Sequence, residues 1–93
     1  MNSKISELLA EKDTRIIDVR ESYEFEMGHF PGAKNMPLSQ FPFFLDDLQS
    51  GAGAIVFYCR SGNRSGQACK ALEKLGMQEV YNGGALEEMM AAV

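Results

Sequence analysis

The sequence predicts an α/β domain with a mostly parallel central sheet that is flanked by helices. Two apolar runs rich in β-branched residues, 15–19 (Arg-Ile-Ile-Asp-Val) and 54–58 (Ala-Ile-Val-Phe-Tyr), have the composition of strands buried on both faces. Helix-permissive segments separate these runs, and glycine or proline ends each of them. Strands that alternate with helices in this way are joined by right-handed crossovers in parallel sheets.

The length and composition predict one globular unit. A chain of 93 residues has room for a single hydrophobic core, so residues 1–93 are expected to form one domain. Hydrophobic residues make up 45% and charged residues 24%, which is typical of a globular rather than a disordered chain. The net charge is −4, so we expect no nucleic acid or anionic membrane surface as a partner. Any bound anion must be held by a local basic site.

The cysteine count and the N-terminal segment exclude several other classes. Two cysteines, Cys59 and Cys69, are too few for a disulfide framework and lack the spacing of a zinc site, so no metal is expected. The N-terminal residues contain no continuous apolar stretch, and no segment has the length of a membrane-spanning helix. We expect a cytoplasmic location for the sequence as written, or a periplasmic one if a signal peptide has been removed.

Caps and breakers predict the elements in the first half of the chain. In order, they are a helix capped by Ser3 or Ser6 that runs to about Lys12, the strand at 15–19, a helix at 21–27, a short strand at 33–36 and a helical stretch that opens at Pro37. Gly28 ends the second helix. Pro42 is expected only near the first turn of the last helical stretch, because a proline further inside would remove a hydrogen bond.

The second half of the chain continues the alternation. After the strand at 54–58, the expected elements are a helix at 65–75, a short strand at 78–81, a turn at 82–84 and a final helix at 85–92. Four residues of the first of these helices share its apolar face and are expected to be buried: Ala68, Cys69, Leu72 and Leu75. Gly76 stands where a left-handed helix cap belongs.

The segment Cys59-Arg60-Ser61-Gly62-Asn63-Arg64 is the candidate functional site. Sites in open parallel sheets lie beyond the carboxyl ends of the strands, and Cys59 directly follows the most apolar strand. Gly62 permits a tight turn, and the helix that begins near Arg64 directs its free N–H groups back towards the loop. The loop is therefore expected to form a cradle for an anion.

Such a cradle favours the thiolate of Cys59. The helix N-terminus, Arg60 and Arg64 all stabilise negative charge, and surroundings of this kind lower a cysteine pKa from about 8.5 to between roughly 3.5 and 7.5. A thiolate that attacks the outer sulfur of an anionic donor becomes a persulfide, from which a second nucleophile removes the sulfur. This scheme needs no metal and no organic cofactor. The expected catalytic residue is Cys59, and the expected substrate-binding residues are Arg60, Ser61, Gly62, Asn63, Arg64 and Ser65.

Three other residues are candidates for a part in the chemistry, but a structural role is favoured for each of them. Asp18 is a candidate general base, but we expect it to accept hydrogen bonds from neighbouring backbone N–H groups. Cys69 lies on an apolar helix face, so a core position is favoured over a redox partnership with Cys59. His29 is interpreted as a structural hydrogen-bonding residue. Of the two arginines, Arg60 is expected to contact a substrate anion, whereas Arg64 is expected to hold the loop.

Three segments together resemble the rhodanese family. They are Asp18-Val19-Arg20-Glu21, then Gly28-His29-Phe30-Pro31-Gly32-Ala33 with Asn35-Met36-Pro37, and finally Cys59-Arg60-Ser61-Gly62-Asn63-Arg64-Ser65 with Gly83-Gly84. The resemblance implies a rhodanese fold and a persulfide on Cys59. It also implies thiosulfate or a related sulfane donor, with cyanide, thioredoxin or a small thiol as acceptor. The continuation Ser65-Gly66-Gln67-Ala68 is most similar to single-domain thiosulfate sulfurtransferases of the phage-shock type, some of which are exported to the periplasm.

Loop length separates two branches of this family. Members with four residues between the cysteine and the position of Arg64 handle sulfur, whereas the related cell-cycle phosphatases have one residue more. Residues 60–63 number four, which favours sulfur transfer. Two alternatives remain open: a sulfur or persulfide carrier or interaction module, and a phosphatase or arsenate reductase that uses the same thiolate. Glu88 stands where many relatives have a tryptophan, which leaves the packing of the last helix open.

Overall fold

The computed structural model describes residues 3–93. The strands are β1 (Arg15–Asp18), β2 (Lys34–Asn35), β3 (Ile55–Cys59) and β4 (Val80–Ala85). The helices are α1 (Ser3–Leu9), α2 (Ser22–Glu26), α3 (Leu45–Ser50), α4 (Asn63–Lys74) and α5 (Leu86–Ala91), with a 3₁₀ segment at Leu38–Phe43. All four strands are parallel, in the order β2-β1-β3-β4, so the predicted α/β class is confirmed.

The central strand β3 organises the core, and all five of its residues are buried. Successive side chains of a strand point to opposite faces of the sheet. Phe57 accordingly packs in a cluster with Leu72 of α4, whereas Val56 and Tyr58 pack with Met89 of α5 on the other face. Full burial of an apolar side chain of this size contributes about 1.5–3 kcal/mol, so these two layers fix the position of the carboxyl end of β3.

The first helix and the segment after Pro37 differ from the prediction. Helix α1 ends at Leu9, three residues before Lys12, and Ser6 lies inside it rather than at its cap; the side chain of Ser3 is outside the described part of the structure. The stretch after Pro37 is divided into the 3₁₀ segment, which contains Pro42, and α3. The proline removes a backbone donor, and the shorter repeat of a 3₁₀ helix accommodates that loss.

The turn predicted at residues 82–84 is wrong, because these residues belong to β4. Phe57 pairs with Asn82 and Tyr58 with Gly84, so β4 carries one extra residue and forms a bulge at Gly83. A Cβ atom on Gly83 would collide with the sulfur of Met89 and lie 2.9 Å from Cγ1 of Val56. The Asn-Gly-Gly sequence therefore serves the close approach of α5 to the sheet and not a chain reversal.

Leu75 is also predicted wrongly as a buried residue. Its side chain is 48% exposed, whereas Ala68, Cys69 and Leu72 of the same face are buried as predicted. Helix α4 ends at Lys74, and Leu75 forms its C-cap before Gly76 turns the chain with the expected positive φ of +89°. Among the helices of residues 3–93, none combines the length and the apolar character needed to cross a membrane.

Candidate functional site

Cys59 is the last residue of β3 and lies beneath the loop that leads into α4. Its side chain is 1% exposed. The N–H of Gly62 donates to the sulfur at 3.0 Å, and the hydroxyl oxygen of Ser65 lies 3.5 Å from it. Gly62 is the N-cap of α4 with a φ of +96°, a left-handed conformation that glycine adopts without strain. The predicted return of the backbone towards the sulfur is therefore present.

The surroundings of Cys59 favour its ionised form. Burial raises the pKa of the thiol, but hydrogen bonds from the Ser65 hydroxyl and from the main-chain N–H groups of Ser65, Ser61 and Gly62 outweigh that effect. The net result is a lowered pKa. The charge of a thiolate here is stabilised chiefly by the loop backbone and one hydroxyl, since hydrogen bonds to the charged form favour that form.

The two arginines of the loop have different surroundings. Arg64 forms an ion pair with Glu24 of α2, with nitrogen–oxygen distances of 2.7 and 3.1 Å, which agrees with its expected role of holding the loop. Arg60 is exposed, and within residues 3–93 its guanidinium takes part in no hydrogen bond or ion pair. Arg60 lines an open cavity of about 480 Å³ together with Arg20, Tyr23 and five other residues of α2, its flanks and α5. Its donors are therefore available to an anion.

Asp18 and His29 make contacts that stabilise the fold, which is the kind of role that the sequence favours for both. Asp18 is fully buried at the end of β1, where it accepts hydrogen bonds from the N–H of Arg20 at 2.9 Å and from the Arg20 guanidinium at 2.8–3.1 Å. The same guanidinium donates to the carbonyl of Gly28 at 2.7 Å. His29 stacks on Phe25 with ring centroids 3.7 Å apart. These contacts fix the segment between α2 and β2 beside the cysteine loop.

Cys69 faces the core from α4. It is 8% exposed, and burial raises its pKa to about 11, with a further contribution from the nearby charge of Glu73. A thiol with such a pKa carries almost no thiolate at neutral pH, and the thiolate is the nucleophilic form. The core role that the sequence favours for Cys69 is consistent with these surroundings.

The Glu24–Arg64 ion pair gives a pH-dependent prediction. The hydrogen bond from Arg64 lowers the pKa of Glu24 from 4.5 to about 2. Because the folded-state pKa is depressed, the stabilisation is complete above the unfolded value of 4.5 and is lost as the pH falls towards 2. We expect Glu24→Gln to lower the free energy of unfolding by about 0.5–1 kcal/mol near neutral pH, and by progressively less between these two pH values.

Urea unfolding at a series of pH values measures this difference. Glu26→Gln, on the same helix and exposed, is the matched control and should change the stability by less than about 0.5 kcal/mol. A stability loss in Glu24→Gln that stays constant down to the lowest pH would contradict the assignment of this ion pair.

Of the predicted loop residues, the structure places Ser61, Gly62 and Ser65 in contact with the Cys59 sulfur, and it adds two residues that the sequence does not predict for the site. Glu24 is 40 positions from its partner Arg64. Asn82 is 17 positions from Ser65, whose hydroxyl donates to its side-chain oxygen at 2.6 Å. The side chain of Asn82 also donates to the carbonyl of Gly62 at 3.0 Å. Both contacts depend on how the strands and helices are arranged, and the only local sequence signal is the Asn82-Gly83-Gly84 segment, whose composition predicts a turn.

The chain is similar in sequence to several known proteins. A family model for the rhodanese-like domain matches residues 1–87. The uncharacterised Bacillus subtilis protein YqhL is 41% identical over 71 residues, which cover 76% of this chain and 56% of YqhL. A tRNA uridine(34) hydroxylase of Yersinia pestis is 33% identical over 91 residues, which cover 90% of this chain and 26% of the hydroxylase.

A solved structure extends the similarity to the fold. The human single-domain sulfurtransferase TSTD1 superimposes with a TM-score of 0.73 at 30% identity, over 95% of this chain and 90% of that one. The chain therefore spans nearly all of this neighbour, but only 56% and 26% of the two curated relatives. The family match covers most of the sequence, including all three segments that carry the resemblance. This chain belongs to the family of rhodanese-like domains.

Proposed function

We propose that this protein is a sulfurtransferase that moves a sulfane sulfur from thiosulfate, or a related donor, to cyanide or a thiol through a persulfide on Cys59. The observation that carries the proposal is the sulfur of Cys59 at the centre of a four-residue loop whose main-chain N–H groups and Ser65 hydroxyl favour the thiolate. The similarity to a human single-domain sulfurtransferase over almost the whole chain supports the same reaction class.

In the first step the thiolate of Cys59 attacks the outer sulfur of thiosulfate. A bond forms between Sγ and that sulfur, the sulfur–sulfur bond of thiosulfate breaks, and its electron pair leaves with sulfite. The product is a cysteine persulfide whose terminal sulfur carries the negative charge. Oriented N–H donors stabilise such charge because they need no reorganisation as it develops.

In the second step a nucleophile attacks the terminal sulfur of the persulfide. With cyanide, a carbon–sulfur bond forms, the bond between the two sulfurs breaks, and thiocyanate leaves while the electron pair returns to Cys59 as thiolate. No electrons are taken from an external reductant in this step. The two half-reactions predict ping-pong kinetics, as for other covalent intermediates.

The surroundings of the loop suit an anionic donor. We assign the first contact with thiosulfate to Arg60, because its guanidinium is exposed at the edge of the 480 Å³ cavity. The remaining contacts are assigned to the loop residues Ser61, Gly62, Asn63, Arg64 and Ser65, chiefly through their backbone N–H groups. Arg64 contributes its charge at longer range, since its guanidinium is paired with Glu24.

Mass spectrometry of the protein incubated with thiosulfate tests the proposal. We expect the mass of one added sulfur atom, located by peptide mapping on Cys59 and removed by cyanide. The peptide that contains Cys69 is the internal control and should remain unmodified, because burial keeps that thiol protonated. An unmodified Cys59 after prolonged incubation with excess thiosulfate would refute the proposal.

A carrier that passes sulfur to a protein is the second candidate function. Tyr23 and Met27, which line the same cavity as Arg60, are 66% and 85% exposed, and exposed apolar side chains beside a reactive site suit a protein acceptor. Rates of sulfur release to cyanide and to thioredoxin separate the two functions. A strong preference for the protein acceptor, lost in Met27→Ser, would favour the carrier.

A phosphatase or arsenate reductase is disfavoured by the four-residue loop. Hydrolysis of an aryl phosphate at a rate above that of the Cys59→Ser variant would favour this alternative again.

A further inference from the structure

The Ser65 hydroxyl has two neighbours that compete for its single proton. Ser65 is fully buried, with its oxygen 2.6 Å from Oδ1 of Asn82 and 3.5 Å from the sulfur of Cys59. A serine hydroxyl donates one hydrogen bond at a time. The direction of this hydrogen bond therefore depends on what Asn82 and Cys59 each require.

The orientation of the Asn82 amide is fixed by the backbone on both sides. Its Oδ1 accepts from the N–H of Gly84 at 2.9 Å, and its Nδ2 donates to the carbonyl of Gly62 at 3.0 Å. A backbone N–H can only donate and a carbonyl can only accept, so the reversed amide would lose both bonds. Oδ1 must therefore face Ser65, and at 2.6 Å the proton between the two oxygens belongs to Ser65.

The Ser65 oxygen can then only accept a hydrogen bond from Cys59. That arrangement suits the thiol, whose S–H points towards Ser65. A thiolate or a persulfide anion has no proton to offer and instead requires a donor. The Ser65 hydroxyl must then turn from Asn82 to the sulfur, which leaves Oδ1 with the Gly84 N–H alone.

We propose that Asn82 is a positioning residue that holds the Ser65 proton while Cys59 is a thiol and yields it when the sulfur becomes charged. The inference deepens the proposed sulfur transfer, since it concerns how the sulfur-carrying residue ionises. A thiolate becomes a weaker nucleophile as its pKa falls, and a donor that is engaged elsewhere limits that fall. Asn82 thus opposes the loop N–H groups and keeps Cys59 both ionisable and reactive.

Other charged groups lie on the elements that pack around Cys59 and are left unchanged by the test. They are Arg60 and Arg64 of the loop and α4, Glu24 of α2, the Asp18–Arg20 pair at the end of β1, and Glu87 and Glu88 at the start of α5. Because every variant retains them, their contribution to the ionisation of Cys59 is the same in each protein that is compared.

The test is the pH dependence of Cys59 alkylation in the resting protein, followed by peptide mapping. We expect Asn82→Ala to increase the acid dissociation constant of Cys59 by a factor of about three to ten, and Ser65→Ala to decrease it by a similar factor. In the Ser65→Ala background the Asn82 substitution should produce no increase. Gln67→Ala, which removes an exposed amide from the same helix, should leave the constant unchanged.

If Asn82 had a purely structural role, its substitution would decrease the acid dissociation constant of Cys59 instead of increasing it. Loss of its hydrogen bond to Gly62 would loosen the N–H that donates to the sulfur, and the dissociation constant would fall. A decrease or no change in Asn82→Ala, or an equal increase without Ser65, would overturn the proposal. Because no sulfur donor is present, failure here is distinct from failure of sulfur transfer.

A second measurement requires no variant of Asn82. In the unmodified protein, the nuclear magnetic resonance of the Asn82 side-chain carbonyl carbon should shift with the same midpoint as the ionisation of Cys59, because Oδ1 loses a hydrogen bond at that point. A resonance that does not move through this titration would overturn the proposal even if the substituted protein fails to fold.

Discussion

Cys59→Ser should lose sulfur transfer from thiosulfate to cyanide almost completely, by a factor of about 10³ or more in kcat. A serine hydroxyl remains protonated at neutral pH, so the loop N–H groups would surround a poor nucleophile. The oxygen also cannot form a persulfide, which removes the intermediate on which both half-reactions depend. The rate of thiocyanate formation at saturating thiosulfate measures this loss in kcat.

Cys69→Ser is the matched control for that measurement. Cys69 packs in the core cluster that contains Leu72 and Phe57, and it is not among the groups that donate hydrogen bonds to the Cys59 sulfur. Its substitution should lower the stability of the fold because a hydroxyl replaces a buried thiol, but the turnover of the folded protein should change little. Residual turnover in Cys59→Ser that approaches the wild-type rate would contradict a covalent route through Cys59.

Asp18→Ala should lower the free energy of unfolding by about 3–5 kcal/mol. The carboxylate is fully buried and takes both a backbone and a guanidinium hydrogen bond from Arg20, whose own side chain is 9% exposed. Removal of the carboxylate leaves the arginine charge without its partner in a place from which water is largely excluded. Urea unfolding followed by circular dichroism measures the loss.

Two further variants separate this buried pair from a general effect of charge. Asp46→Ala removes an exposed carboxylate from the first turn of α3 and should cost less than about 1 kcal/mol. The double variant Asp18→Ala with Arg20→Met should be more stable than Asp18→Ala alone, because the unpaired charge is gone. A loss below about 1 kcal/mol in Asp18→Ala would show that Arg20 finds another partner or water.

Local patterns predicted most of the fold. The strand at 54–58 was identified by its apolar β-branched composition, and α4 by the combination of an apolar face with Gly76 after its last turn. Both signals come from residues that are close together in the sequence, so these two elements can be predicted without knowledge of distant contacts. The position of Cys59 at the end of the strand then followed, since β3 and the loop are contiguous in sequence.

The errors arose where distant contacts decide the local structure. Asn82-Gly83-Gly84 has turn composition, yet parallel pairing with β3 draws it into a strand, and the missing side chain of Gly83 makes room for Met89. Leu75 continues the helical period but follows the last helical residue, so it faces solvent. The pairing of Glu24 with Arg64 depends on a separation of 40 residues, which no periodicity contains.

The hydrogen-bond donors around Cys59 determine which substitutions the loop can accept. The hydrogen bonds that favour the thiolate come from one buried hydroxyl, that of Ser65, and from the main-chain N–H groups of Ser65, Ser61 and Gly62. A side-chain replacement at an exposed loop position such as Ser61 or Asn63 leaves those N–H groups in place, provided that the backbone keeps its course. The loop can therefore vary its outer surface to suit different sulfur donors and acceptors, while Gly62, whose φ excludes most other residues, has little freedom to change.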